Sequence, residues 1–239
     1  MNIKSEYNLL SDAAINKPIH TITPFTTLDY PKHLASIFWF AKCNMACPYC
    51  YNPRIVREKG TISTHEALAF LSKRKDRLDG VVLSGGECTL YPLLEEFCAQ
   101  IKELNYSIKV DTNGSNPNVI ERLIEQKLID FVALDYKAPQ EKFTSITARK
   151  DFEFFSQTLD YLIHTHFPFE ARTTLHSDFL DINDINAIID DLTRRHYPHT
   201  YYLQNYLHVK ETLGDTKTQH NLLDMRLLSQ KLPIELRNF

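Results

Sequence analysis

The chain has 239 residues, 27 basic and 30 acidic side chains, a formal net charge of −3 and five cysteines. Mixed charge of this kind gives no electrostatic case for nucleic-acid binding, and no apolar stretch reaches the roughly 18 residues of a membrane span. The amino terminus lacks the charged and then apolar pattern of a secretory signal. We therefore expect a soluble cytoplasmic protein of one domain that contacts neither nucleic acid nor membrane.

Short apolar strands alternate with amphipathic helices, which is typical of βα units with a parallel sheet. Six strands rich in β-branched or aromatic residues are predicted at Leu34–Phe40, Val81–Ser84, Ser107–Thr112, Phe131–Asp135, Phe169–Leu175 and Tyr201–Tyr206. Five helices are predicted at Ala67–Arg77, Leu93–Leu104, Val119–Lys127, Phe152–His164 and Asp184–Arg195. Six units predict an α/β fold of the partial barrel type, open at its side.

Polar motifs stand at the carboxyl ends of the first four predicted strands. They are the cysteine loop, Gly85-Gly-Glu87, Asp111-Thr-Asn-Gly114 and Asp135-Tyr-Lys137. The loops at the carboxyl ends of the strands converge in a parallel barrel, and active sites are built there. We therefore expect these motifs to belong to one active site.

Three cysteines with the order Cys-x3-Cys-x2-Cys are the most informative motif, Cys43, Cys47 and Cys50. A short loop with this spacing can place one thiolate on each of three irons of a [4Fe–4S] cluster and leave the fourth iron open for chemistry. Alternatives remain open: a zinc site, which needs a fourth ligand at an unusual offset, or a redox pair or disulfide that ignores Cys43. The remaining cysteines, Cys88 and Cys98, are predicted to be buried packing residues.

The polar residues at the other strand ends are suited to bind a ligand. Gly85 and Gly86 allow a backbone to approach a ligand closely, and Glu87 offers acceptors to an ammonium group. Asp111 and Asp135 are expected to lie close enough to need a cation or a proton between them, of which a cation is the simpler answer, unless both are simply hydrogen-bonded to loop backbone. A charged side chain at position 172, Arg172, interrupts a strand-like run and is expected to face the polar mouth of the barrel.

The cysteine triplet, with Tyr49 before its last cysteine, resembles the signature of the radical SAM superfamily. Further segments are similar to the subfamily that activates anaerobic ribonucleoside-triphosphate reductase. They are Thr23–Pro31, Ser84–Glu87, Asp111–Pro117 and Ala133–Pro139. The resemblance covers roughly residues 23–206 and implies a partial (β/α)6 TIM barrel of the radical SAM type.

The resemblance implies two cofactors, a [4Fe–4S] cluster on the three cysteines and S-adenosylmethionine. In this family the Gly-Gly-Glu motif contacts the amino group of S-adenosylmethionine, and Asp111, Thr112 and Asp135 match residues that bind a monovalent cation. Lys137 would face the carboxylate or ribose, whereas Gln204 on the last strand could contact adenine or ribose or be merely structural. The cofactor-binding residues implied are Tyr49, Ser84, Gly85, Gly86, Glu87, Asp111, Asn113, Asp135, Lys137, Arg172 and Gln204.

The activity implied is formation of a 5′-deoxyadenosyl radical that takes hydrogen from a glycine of an anaerobic ribonucleotide reductase, with a flavodoxin- or ferredoxin-type protein as electron donor. Radical chemistry on a small molecule, as in deazaguanine synthesis, and a non-catalytic electron carrier are the alternatives. A single domain over residues 1–239 is predicted, with the core at 23–206, an amino-terminal extension at 1–22 and a helical tail at 207–239.

Four positions depart from the pattern of the family. Lys32 and Lys42 stand where glycine is usual, Tyr51 replaces a histidine after the third cysteine, and Cys88 replaces a common proline after Glu87. These departures leave the cluster ligands intact and bear on the identity of the partner protein.

Overall fold

The computed structural model describes residues 16–214, 216–219 and 223–239. These residues form two compact units, each built from several chain segments. The first unit contains residues 16–44, 54–112 and 118–131, and the second contains residues 45–53, 113–117 and the described residues from 132 onwards. The single domain over 1–239 stays a prediction. Of its expected amino-terminal extension, residues 1–15 lie outside the described residues, and residues 19–22 belong to a strand.

The first unit is a small parallel sheet with one antiparallel edge strand. Its strands are β1 (Ile19–Thr26), β2 (Ala35–Phe40), β3 (Gly80–Gly85) and β4 (Ser107–Thr112). The helices that begin or lie in this part of the chain are α1 (Pro53–Arg57), α2 (Thr64–Ser72), α3 (Leu94–Glu103) and α4 (Pro117–Glu125). Strands β2, β3 and β4 pair in parallel and β1 pairs antiparallel to β2. The three predicted strands are therefore confirmed, while β1 and α1 are additions.

The second unit repeats the strand-and-helix alternation. Its elements are β5 (Phe131–Asp135), α5 (Gln140–Thr147), α6 (Phe152–His164), β6 (Phe169–Leu175), α7 (Ile182–Arg194), β7 (Tyr201–Asn205) and β8 (Ile234–Arg237). Strands β5, β6, β7 and β8 lie side by side in chain order and pair in parallel. The predicted α/β class is confirmed, and α5 and β8 are additional elements.

Aromatic residues fill the core of each unit, because their large apolar side chains give the most burial per position. In the first unit the ring of Phe97 on α3 lies 6.2 Å from the rings of Phe38 and Phe40 on β2. In the second unit the ring of Tyr136 lies 4.5 Å from that of Phe155 on α6.

The helical tail predicted for residues 207–239 is wrong for the part that the structure describes. That part contains a single turn of 3-10 helix at Met225–Leu227 and strand β8, which pairs with β7. Pro233 disfavours a helix, and its carbonyl accepts a hydrogen bond from the backbone N–H of Tyr201 at 2.9 Å. The backbone N–H and C=O groups of β7 that face away from β6 therefore pair with a strand rather than with a helix.

Among the described helices, none combines the length and the apolar character needed to cross a membrane.

Candidate active site

The turn after β3 brings backbone against backbone. A Cβ atom at Gly86 would lie 1.9 Å from the carbonyl oxygen of Lys42, and one at Gly85 would lie 2.3 Å from backbone atoms of Phe40. Gly85 also has a φ of 122°, which side chains rarely tolerate. The backbone N–H groups of Gly86 and Glu87 donate to the carbonyls of Phe40 and Lys42, each at 2.9 Å. The two glycines therefore hold the amino-terminal end of the cysteine loop, which comprises residues 41–51.

Lys42 and Lys32 adopt the backbone conformation that favours glycine. Their φ angles are 76° and 63°, and both stand where the resembling family usually has glycine. The backbone N–H of Lys42 donates to the carbonyl of Ile55 at 2.8 Å, and its Nζ donates to the carbonyl of Arg57 at the end of α1, also at 2.8 Å. These bonds offset the backbone strain, so the turn before Cys43 keeps its shape without glycine.

Glu87 is a buried carboxylate fixed by hydroxyl groups. Its Oε1 accepts from the Thr89 hydroxyl at 2.6 Å, from the Thr89 backbone N–H at 3.1 Å and from the Thr112 hydroxyl at 2.8 Å. Only 2% of its surface is exposed. Thr112, predicted to touch a cation, thus fixes the residue predicted to bind the amino group of S-adenosylmethionine.

Asp111 at the end of β4 has a buried cation of its own. Lys109 Nζ lies 2.7 Å from its Oδ1, and the Ser84 hydroxyl donates to its Oδ2 at 3.0 Å. Lys109 and Asp111 are two positions apart on one strand and so share a face. This spacing could have indicated the ion pair, which was not predicted from the sequence. Cys88 and Cys98 are fully buried, as predicted, and burial raises the pKa of both thiols.

The carboxyl-terminal end of the cysteine loop lies in the second unit. The backbone N–H of Cys50 donates to the carbonyl of Cys47 at 3.1 Å, which closes a tight turn. The Tyr49 ring is buried inside this turn, and its hydroxyl donates to the carbonyl of Lys137 at 3.3 Å. Burial raises the pKa of the Cys47 thiol to about 11, and the positive charge of Lys137 opposes that rise. Lys137 thus favours a thiolate where the loop would otherwise favour a neutral thiol.

Described residues of the tail, within 207–214 and 216–219, pack directly onto this end of the loop. The backbone N–H groups of Leu213 and Gly214 donate to the carbonyls of Cys50 and Pro48 at 3.2 and 2.9 Å. The Thr216 hydroxyl donates to the same Pro48 carbonyl at 2.8 Å. A Cβ atom at Gly214 would lie 2.7 Å from that of Pro48, so contact this close requires glycine.

Tyr51, which replaces the usual histidine, joins the same tail. Its ring stacks on that of Tyr206 with centroids 5.3 Å apart, and its hydroxyl accepts from the backbone N–H of Leu207 at 2.8 Å. A tyrosine at this position therefore serves as a structural contact between loop and tail.

A buried histidine fixes the far end of this tail segment. His176 Nδ1 accepts from the backbone N–H of Asp178 at 3.2 Å, so Nε2 carries the proton and donates to the carbonyl of Lys217 at 3.0 Å. Gln219 donates to the Asn205 side chain at 2.9 Å. Neither contact could be found from sequence, because the partners are far apart in the chain.

Asp135 at the end of β5 is held between two cations. Arg172 Nε lies 2.6 Å from its Oδ1 and Lys137 Nζ lies 2.9 Å from its Oδ2. Burial alone would raise the pKa of Asp135, but Arg172 and Lys137 lower it well below its usual range. Asp111 and Asp135 therefore each have protein cations as partners, so charge balance no longer requires a bound monovalent cation, which stays a prediction.

The remaining predicted cofactor residues, Asn113 and Gln204, belong to the second unit. Asn113 is buried and its side-chain oxygen accepts from the backbone N–H of Ser115 at 3.0 Å. Gln204 is half-buried on β7, opposite Thr174 of β6 and Arg237 of β8. Their contacts with a cofactor stay predictions.

The donor set of the loop fits a [4Fe–4S] cluster. The five cysteines form no disulfide. Within the described residues, no three histidine, cysteine or acidic side chains are arranged around a single metal ion. Zinc would need such an arrangement, whereas a cluster does not, because each thiolate binds a different iron. The loop supplies three thiols, one for each of three irons, and it is fixed at both ends.

Comparison with known proteins agrees with this donor set. The sequence profile of the radical SAM superfamily matches residues 37–192, which include the cysteine triplet and the Gly-Gly-Glu turn. A protein of Methanocaldococcus jannaschii that carries the name glycyl-radical enzyme activating enzyme is 35% identical over 173 residues, covering 70% of this chain and 72% of that protein. The pyruvate formate-lyase-activating enzyme of Clostridium pasteurianum is 31% identical over 126 residues, covering 50% of this chain and 52% of that enzyme.

A solved structure shares the fold. SuiB of Streptococcus suis bound to S-adenosylmethionine has a TM-score of 0.61 and 17% sequence identity, and it matches 80% of this chain. The chain spans 46% of that structure. The likeness confirms the predicted fold class, the partial (β/α)6 barrel.

Proposed function

This chain belongs to the radical SAM superfamily, and from that premise we propose that Cys43, Cys47 and Cys50 bind a [4Fe–4S] cluster used to cleave S-adenosylmethionine. When bound and reduced, the cluster supplies one electron to S-adenosylmethionine, which gives methionine and a 5′-deoxyadenosyl radical able to abstract hydrogen. The family match carries the proposal, because it includes all three cysteines.

The residues of the chain act by position and charge. Glu87, fixed by two threonine hydroxyls, accepts hydrogen bonds from the amino group of S-adenosylmethionine. Lys137 and Arg172 provide positive charge for its carboxylate, and Asp135 holds the two cations in place. Tyr49 fixes the turn between the last two cysteines through its bond to the backbone of Lys137.

We further propose that the hydrogen comes from a glycine of a partner protein, a glycyl-radical enzyme of the anaerobic ribonucleotide reductase type. The support for a glycyl-radical partner is the relative from Methanocaldococcus jannaschii, whose name is that of a glycyl-radical enzyme activating enzyme and which matches 70% of the chain. The support for a reductase as that partner is the resemblance of Ser84–Glu87 and Asp111–Pro117 to the reductase-activating subfamily. A flavodoxin or ferredoxin would supply the electron.

Anaerobic reconstitution tests the chemistry. The protein is loaded with iron and sulfide, reduced and mixed with S-adenosylmethionine, and 5′-deoxyadenosine is quantified. Cys98→Ala is the matched control for Cys47→Ala, because Cys98 is a buried cysteine on α3 outside the loop. We expect cleavage to be lost in Cys47→Ala and retained in Cys98→Ala. A cluster that forms and reduces without any cleavage would contradict the enzymatic proposal and favour an electron carrier.

The substrate requires a second experiment. The reduced enzyme is mixed with S-adenosylmethionine and purified anaerobic ribonucleotide reductase, and the sample is examined by electron paramagnetic resonance. A doublet of a glycyl radical that disappears when the reductase glycine is replaced by alanine is the expected result. Multiple turnovers on a small molecule without any protein partner would contradict it.

A further inference from the structure

Five charged side chains of alternating sign form a continuous series of ion pairs in the second unit. This charge ladder consists of Lys137, Asp135, Arg172, Glu170 and Arg237. It begins at the predicted cofactor residues on β5 and ends on β8. The first three members belong to the site already described, whereas Glu170 and Arg237 have no role so far.

The distances within the ladder are unequal. Glu170 Oε2 lies 3.0 Å from Arg237 NH2, but Glu170 Oε1 lies 3.7 Å from Arg172 NH1. Arg172 makes its short contact, 2.6 Å, with Asp135 instead. Arg237 is thus the closer partner of Glu170, and Asp135 is the closer partner of Arg172.

The strand register explains why Glu170 could compete for Arg172. Glu170 and Arg172 are two residues apart on β6 and so share one face of the strand. The Glu170 side chain is 6% exposed, so an uncompensated charge there would be costly. Without Arg237, the cation on the same face of β6 is Arg172, and Glu170 would draw it away from Asp135.

The position of Arg237 is itself well defined. Its guanidinium carbon lies 3.7 Å above the centre of the Tyr202 ring, a favourable cation–π distance. Tyr202 stands opposite Arg172 in the register of β6 and β7, and Arg237 stands opposite Gln204 in the register of β7 and β8. The pairing of β8 with β7, and of β7 with β6, therefore places the Arg237 side chain within reach of Glu170 on β6.

We infer that Arg237 is a positioning residue for the carboxylate of the cofactor, because it holds Glu170 and thereby keeps Arg172 on Asp135 beside Lys137. This inference rests on the proposed function and adds to it a positioning residue on β8. The ligand chemistry concerned is an α-amino-acid carboxylate, which two adjacent cations on a common carboxylate can receive.

The test is equilibrium binding of S-adenosylmethionine to the anaerobically reconstituted enzyme. Arg237→Met should weaken binding about tenfold, as expected for an uncompensated charge near the binding group. Arg237→Lys keeps the charge but loses the planar fork and should weaken it about threefold. Arg226→Met is the control, since Arg226 pairs with Asp224 at the surface and its side chain is 89% exposed.

Two further measurements separate positioning from simple loss of structure. Glu170→Gln added to Arg237→Met should restore most of the affinity, because the competing charge is gone, whereas two structural defects would add. Decarboxylated S-adenosylmethionine should bind wild type and Arg237→Met equally, because it lacks the group that the ladder positions.

Each outcome decides between the two proposals. Equal affinity of wild type, Arg237→Met and Arg237→Lys in an enzyme that cleaves S-adenosylmethionine would overturn the inference alone. So would equal weakening for the decarboxylated compound, or no rescue by Glu170→Gln. Absence of any binding and cleavage in wild type would overturn the proposed function and the inference with it.

Discussion

The two ends of the cysteine loop are fixed in different ways. At the amino-terminal end, backbone groups of Gly86 and Glu87 from the neighbouring strand bind the backbone around Lys42. At the carboxyl-terminal end, the backbone N–H of Ala46 donates to the carbonyl of Thr147, and tail residues such as Gly214 bind the loop backbone. The first end uses partners from the turn after β3 and from α1, and the second uses partners 88 or more residues away in sequence.

The paired strands supply the contacts at the first end, and a distant segment of the chain supplies the contacts at the second end. Contacts of β2 and β3 follow from strand pairing and need glycine where backbones meet. Contacts with the described residues of 207–214 and 216–219 depend instead on a segment that is far from the loop in the chain. We therefore expect the first end to be intolerant of change and the second to tune how firmly Cys47 and Cys50 are held.

The largest effect is expected from Gly86→Ala. A Cβ atom there would overlap the Lys42 carbonyl at 1.9 Å, and backbone cannot move aside cheaply. Unfolding free energy should fall by more than about 3 kcal/mol, and bound iron should be lost. Gly80→Ala is the control, because its Cβ would meet the Tyr30 ring at 2.9 Å, away from the loop. Iron content measured after reconstitution should fall in Gly86→Ala alone; equal loss in both would contradict the prediction.

Asp135→Asn should have the next largest effect, since it leaves Arg172 and Lys137 next to each other without their carboxylate. We expect a loss of about 3 kcal/mol at pH 7 by denaturant unfolding. The folded pKa of Asp135 is lowered, so its stabilisation is complete above the unfolded value of about 4 and is lost as the pH falls through the folded value.

The pH dependence supplies the check on Asp135→Asn. The difference in unfolding free energy between wild type and variant should be constant from pH 7 to about pH 5 and shrink on further acidification. A difference that grows on acidification would contradict the assigned ion pairs.

Gly214→Ala tests the carboxyl-terminal end of the loop. Its Cβ would approach that of Pro48 to 2.7 Å, but a tail segment can shift more easily than paired strands. We expect a loss of about 1 kcal/mol and a severalfold faster removal of iron by a chelator. Thermal unfolding and the rate of iron removal are measured for Gly214→Ala and for the control variant Gly80→Ala. A chelation rate equal to that of wild type would show that the tail does not hold the cluster ligands.

The smallest effects concern the two lysines in left-handed conformation. Lys32→Gly should stabilise the protein by about 0.5 kcal/mol, the relief of backbone strain less the extra entropy of glycine in the unfolded chain. Lys42→Gly should gain less, because its Nζ bond to the Arg57 carbonyl is lost. Chemical unfolding of both variants measures the difference. A larger gain for Lys42→Gly would show that this bond contributes nothing.

The sequence predicted the strands well where local pattern and burial agree. The bounds of β4, β5 and β6 match the prediction, because each is a short run of alternating or continuous apolar residues between turn signals. Short α1 and α5 were missed, since five and eight residues carry little periodicity. The helical tail was wrong because pairing with β7, a long-range contact, decides the conformation of residues 234–237.

The candidate site divides in the same manner. Glu87, Asp111, Asp135 and Lys137 could be singled out because each stands at the end of a predicted strand. Their partners could not: Lys109 appeared to be an ordinary strand residue, and Arg237 lies 67 positions from Glu170. The monovalent cation was predicted from the two carboxylates alone, without the lysines and the arginine that the strands place next to them, and it stays a prediction.

The family of this protein could be recognised from the sequence, since the three cysteines at fixed spacing and the family motifs are local patterns. The contacts that fix these residues in place could be known only from the tertiary structure. Which cation faces Asp135, which carbonyl meets Gly86 and which tail residues bind Pro48 all depend on strand register and chain crossing. These are distances between residues far apart in the chain, and local pattern carries no record of them.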